Sequence, residues 1–116
     1  MNRFEAEVRA KGMTVFAHVD HAAGAAAVGL PLRPTELLIF GHARGGTPLM
    51  QSVQTIGIDL PLKALVWQDE TGDTWLSYNH PNWIANRHGL RRAADPTVSA
   101  MAAMLEALVT AATGRS

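Results

Sequence analysis

The sequence predicts one domain of two layers in which short helices are combined with antiparallel strands. Three observations predict it. Leu62 to Trp67 and Thr74 to Tyr78 are β-type runs joined by the acidic turn Asp69-Glu70-Thr71-Gly72-Asp73, the pattern of an antiparallel hairpin. Val98, Met101, Leu105, Leu108 and Ala112 recur at spacings of three and four, so the C-terminal segment has one apolar helical face. The length of 116 residues suffices for one core and leaves no room for a second.

Taken in order, Asn2 to Lys11 reads as a short helix, because Phe4, Val8 and Lys11 share a face and Gly12 follows as a stop. From Met13 the period changes to two. Met13, Val15, Ala17 and Val19 are expected to face the core, and Thr14, Phe16, His18 and Asp20 the other side. The alanine-rich stretch from His21 to Gly29 makes a helical turn or two, and Pro31 and Pro34 then impose an extended linker. Glu36 to Phe40, whose apolar run from Leu37 is too short for a freestanding helix, reads as a buried strand. Gly41, Gly45 and Gly46 let the backbone turn after it. A helix is expected from Pro48 to about Thr55, capped by the Thr47 hydroxyl, with Leu49, Val53 and Ile56 on one face. In the hairpin, Trp67 and Trp75 lie near the turn and are placed to pair across it. Asn79-His80-Pro81 opens a helix ending at Gly89, and Asp95-Pro96 opens the longest one, ahead of a short tail at Gly114-Arg115-Ser116.

Apolar residues make up 47% and charged residues 17%, the balance of a globular chain rather than a disordered one. Ten basic and ten acidic side chains cancel, so no strong field draws nucleic acid or an anionic membrane to the surface. The absence of cysteine excludes disulfides, thiolate metal sites and cysteine nucleophiles. Met1 to Glu7 is charged where a signal peptide would carry its apolar core, and no run approaches membrane-spanning length. These features set the expectation of a cytoplasmic protein with neither nucleic acid nor a membrane as partner.

The runs Val15-Phe16-Ala17-His18-Val19-Asp20-His21, Leu38-Ile39-Phe40-Gly41, Gly46-Thr47-Pro48-Leu49-Met50, Leu60-Pro61-Leu62-Lys63 and Ser77-Tyr78-Asn79 resemble the DUF302 family in order and spacing, from roughly Gly12 to Leu90. The resemblance implies an α+β domain of the TATA-binding-protein-like (TBP-like) type. Such a domain has a curved antiparallel sheet of about four strands, a long C-terminal helix and shorter helices packed on it, and frequently pairs as a homodimer. No established activity is implied. Family members usually carry a strand before the first helix, and this chain begins inside that helix, so a sheet edge is expected to be missing or supplied otherwise. An uncovered edge invites pairing with a second copy. The chain also has His42-Ala43 where relatives more often resemble Asn-Pro, which adds an imidazole.

Three constellations could carry chemistry. The glycine turn before Thr47 resembles an anion cradle, with Gly46 and Thr47 as ligand-binding candidates. It has Thr47 where a Walker loop needs lysine, so nucleotide hydrolysis is not expected. His18 and Asp20 lie about 7 Å apart on one strand face. With His21, His42 and His80, each near a strand end, they form a candidate ligand set, of which His18, Asp20, His21 and His42 are the metal candidates, suited to zinc or iron. The plainer role for such imidazoles is structural hydrogen bonding. Lys63 beside Tyr78, with Asp20 as charge partner, could form a proton-transfer pair, against the simpler reading of a lysine that reaches solvent and a tyrosine that packs. Trp67, Trp75 and Trp83 could stack on a haem or flavin, or else pack in a core or dimer interface. The readings are therefore a homodimeric domain that binds or senses a small ligand or metal ion, an enzyme using His with Asp20 or Tyr78 with Lys63, and a dimerising structural scaffold.

Overall fold

In the computed structural model, which describes residues 1–90 and 95–113, the chain runs α1 (Asn2–Ala10), β1 (Thr14–Asp20), α2 (His21–Ala27), β2 (Thr35–Gly41) and α3 (Ala43–Ser52). A 3-10 turn (Gln54–Ile58) leads on to β3 (Leu62–Gln68), β4 (Thr74–Tyr78), α4 (Pro81–His88) and α5 (Asp95–Thr113). The strands pair in sequence order, each pair antiparallel, in one open sheet with β1 and β4 at its edges. This is the α+β architecture with a long C-terminal helix that the sequence implied. The tail expected at Gly114-Arg115-Ser116 lies outside the described residues.

Alternation along β2 and β3 sends Leu38, Phe40, Leu62 and Ala64 to one face of the sheet, where all four are buried. There they meet Phe4 and Val8 of α1, Leu49 of α3, Ile84 of α4, and Val98, Leu105 and Leu108 of α5, in one cluster. Phe4 sits edge-on to Phe40 at 5.4 Å between ring centroids. Burying each large side chain of this kind contributes about 1.5–3 kcal/mol. The other face carries Ala17, Val19, Leu37, Ile39, Leu65, Trp67 and Trp75 around Lys63, and none of these is buried. As expected, Trp67 stacks on Trp75 across the hairpin, at 6.3 Å.

Two local expectations are corrected. Met13 and Val15 do turn to the core, but the β1–β2 register shifts by a bulge between Val15 and Ala17. Val15 lies opposite Phe40 and Ala17 already opposite Ile39, so the parity inverts from there on. His18 and Asp20 take the helix side opposite Leu38 and Glu36, while Ala17 and Val19 take the open face. Phe16, the extra residue, is thrown outward and is 56% exposed. An insertion of this kind leaves no trace in a period-two pattern.

The second correction concerns α3, which starts at Ala43 instead of Pro48. His42 is its cap, with Nδ1 accepting from the Arg44 N–H at 3.1 Å, and Thr47 lies inside the helix. Gly45 and Gly46 are helical, neither has a positive φ, and both donate their N–H to the His42 carbonyl. The helix ends at Ser52, and Val53 is extended before the 3-10 turn that carries Ile56 into the core.

Candidate functional site

The topology separates most of the residues that the sequence singled out. In an antiparallel sheet, successive strand ends lie at opposite ends, so Asp20 closes β1 beside Glu36 while His42 follows β2 some six residues away, roughly 20 Å along the strands. Asp20 caps α2 by accepting from the Ala23 N–H at 2.9 Å, and His21 is exposed at the first position of that helix. His80 caps α4 through Nδ1, stacks on Tyr78, and brings Nε2 to 3.9 Å from Glu106. Asp20, His42 and His80 thus serve the same structural purpose, each closing the first turn of a helix that follows a strand. His18, on the helix side, bridges Glu5 of α1 at 3.2 Å and Glu36 of β2 at 2.9 Å. Among the described residues no group of three or more histidines and carboxylates is arranged to hold a metal ion.

The proton-transfer pair is not formed either. Lys63 faces the open side opposite Ile39 and donates to the Pro61 carbonyl, whereas Tyr78 lies opposite Ala64 on the helix side. Sheet parity places them on different faces. Trp67 and Trp75 donate their indole N–H groups to Ser77 and Asp69, and Trp83 lies under the Arg87 guanidinium on α4.

What the structure does bring together is a cavity of about 820 Å³ between α3, the N-terminal half of α5 and the ends of β1 and β2. Met13, Met50, Met101 and Met104 line it, four of the five methionines in the chain, together with Phe16 at the bulge and Leu60. His42, Gly46 and Thr47, three of the candidate ligand residues, reach this wall; His18, Asp20, His21 and His80 do not. Gly46 and Thr47 therefore border an apolar space, and the N–H of Gly46 is already bonded within the helix. A side chain at Gly45 would meet Met101, and one at Gly46 would meet Leu60 and Met50. The missing side chains keep the space open. Lys11 and Arg44 also line the cavity, and among the described residues no carboxylate does.

Sequence reasoning missed this site because residues as far apart as Lys11 and Met104 form it. The available signals were the pairing of Met101 with Met104 one turn apart and a Gly-Gly step in a helix where alanine would serve better.

Two carboxylates outside the cavity gather several hydrogen bonds each. Asp59 accepts from Arg87 at 2.9 and 3.0 Å and from His88, tying the segment before β3 to the end of α4. The His88 hydrogen bond, ahead of the Arg87 charge, holds its carboxyl below the ordinary range. Asp69 accepts from the Trp75 indole, the Thr71 hydroxyl and the N–H groups of Thr71 and Asp73. These bonds, the indole first, hold its carboxyl at about 2.

Fold and site together define an α+β domain with a helix layer on one face of its sheet and a methionine-lined cavity at one end of that layer. The chain belongs to the family described as "Domain of unknown function DUF302", whose model matches residues 1–108. The crystal structure of an uncharacterized conserved DUF302 protein from Bacillus stearothermophilus superposes with a TM-score of 0.84 at 18% identity, covering 96% of this chain and 86% of that one. Among curated proteins, the "Fluoride-specific ion channel FluC 1" of Brucella suis biovar 1 (strain 1330) is 50% identical over 101 residues, or 87% of this chain and 40% of that protein. The "Fluoride-specific ion channel FluC 2" of Brucella melitensis biotype 1 is 50% identical over the same share of this chain and 37% of its own length. The chain thus spans about two fifths of the length of the curated relatives it matches.

These relatives overturn the expectation of a cytoplasmic protein without a membrane partner, because proteins that are 50% identical to this chain over 101 of its residues are named as ion channels. One helix among the described residues, α5, is also long and apolar enough by length and composition to cross a membrane, contrary to the sequence expectation. Here it lies against the core through Val98, Leu105 and Leu108.

Proposed function

We propose that this chain is a ligand-binding domain that works beside a membrane channel of the kind its Brucella relatives are named for, with the methionine-lined cavity as its working site. The observation that carries the reading is the cavity itself. Its volume of about 820 Å³ falls in the range of ligand pockets, and its lining is mostly apolar. Methionines suit such a site because their unbranched, polarisable side chains reshape around an apolar guest. The glycines of α3 support the same reading, since each lowers helix stability by about 0.5–1 kcal/mol relative to alanine and their φ values do not demand glycine. The half-exposed apolar face of the sheet is the surface through which two such domains would pair.

A fluorescent naphthylamine probe tests the site. Its emission should rise on binding the wild-type chain, and Gly45→Leu, which fills the space beside Met101, should abolish the rise without lowering the unfolding midpoint. No rise with the wild type, or a rise that survives the filled variant, overturns the reading. Fractionating cells that hold the native protein tests the setting. Recovery with the membranes supports it, and complete recovery in the supernatant after gentle lysis refutes it.

A further inference from the structure

We infer that the ligand of this cavity is a free long-chain carboxylate, an inference that rests on the cavity being a binding site and adds the chemistry of its occupant. In a chain whose charges balance, the lining holds Lys11, Arg44 and His42 and, among the described residues, not one acidic side chain. Among the described residues neither Lys11 nor Arg44 has a carboxylate within ion-pair distance. His42 uses Nδ1 to cap α3, which leaves Nε2 as the nitrogen able to donate. The rest of the lining offers almost no hydrogen-bonding side chains, so a guest with several polar groups would leave them unpaired, at a penalty. One anionic head against two cations and an imidazole, with an unbranched tail among flexible methionines, satisfies both halves of the site. A neutral apolar guest would make no use of the cations, which are exposed and would stay in water.

Displacement of the naphthylamine probe by dodecanoate, methyl dodecanoate and the shorter acids tests this. The acid should displace the probe at about one tenth of the ester concentration, a difference of about 1.4 kcal/mol. Affinity should rise by up to about fourfold per methylene from hexanoate to dodecanoate, as the tail is buried. Lys11→Met with Arg44→Met should erase the preference for the acid and leave the ester unchanged. If that double variant does not fold, the acid-to-ester ratio on the wild type decides alone. Equal displacement by acid and ester overturns the inference while the cavity reading stands, because the probe still binds. Failure of the probe to bind the wild type removes both. Displacement by phosphatidylglycerol vesicles at lower lipid concentration than dodecanoate makes a bilayer lipid the ligand and overturns the free acid.

Discussion

Asp59 shows how a single carboxylate can hold two parts of this domain together. Its side chain is 13% exposed and receives Arg87 and His88 from α4, so replacing it removes charge-assisted bonds from a partly covered site. Asp59→Asn should lower stability by about 1–2 kcal/mol in urea unfolding, allowing for the exposure of Arg87. The sign of the pH effect follows from its lowered titration. The folded carboxyl holds its proton less tightly than the unfolded one, whose ordinary value is 3.8. Its contribution is therefore complete above 3.8 and fades as pH falls through the lower folded value. Unfolding followed from pH 6 to pH 2 should show this acid loss in the wild type and a shallower one in Asp59→Asn. At this scale the sequence singled out Asp20, His42 and His80, each at the junction of a strand and a helix, as ligands of one site. It could not tell a ligand from a cap, because both need a polar atom where a strand gives way to a helix, and only the packing of separate strand ends decides between them.

Elements differ in how openly their sequences declare them. The hairpin and α5 are legible because a turn of fixed chemistry and an unbroken period of three and four act locally. The start of α3 is not, since glycine and an internal Pro48 both argue against helix, and the His42 cap with the backbone bonds of the first turn outweighs them. Gly45→Ala is the corresponding test. Its methyl group would sit 3.8 Å from Met101, an ordinary contact, so the variant should be more stable by about 0.5–1 kcal/mol, read as a higher denaturant midpoint at unchanged slope. A loss of stability would mean that the helix needs glycine there. The β1 bulge is the other hidden feature. It exchanges the faces of His18 and Val19, and so supplies Glu5 and Glu36 with an imidazole between them.

The molecule as a whole is extended for its size. Its radius of gyration is 15.3 Å, against about 13 Å for a compact domain of this length. One-sided layering accounts for part of this, since the helices that carry the core all cover the same face of the sheet. The three tryptophans lie outside the core, and Trp75 and Trp83 are about half exposed. Native emission should therefore be quenched by acrylamide. A blue shift as protein concentration rises would show Trp75 becoming covered by association, whereas a spectrum independent of concentration would mean that the open face stays wet. The fold class follows from the sequence because the strands pair in the order in which they occur along the chain, but the cavity does not, being closed by segments from both ends. The bulge at Phe16 has one last consequence. Two halves of a single edge strand read in opposite phase, so losing Phe16 would restore an unbroken alternation while Val15 and His18 stayed on the helix side and Ala17 and Val19 on the open one; a homologue lacking that residue would keep both faces and show them plainly in its sequence.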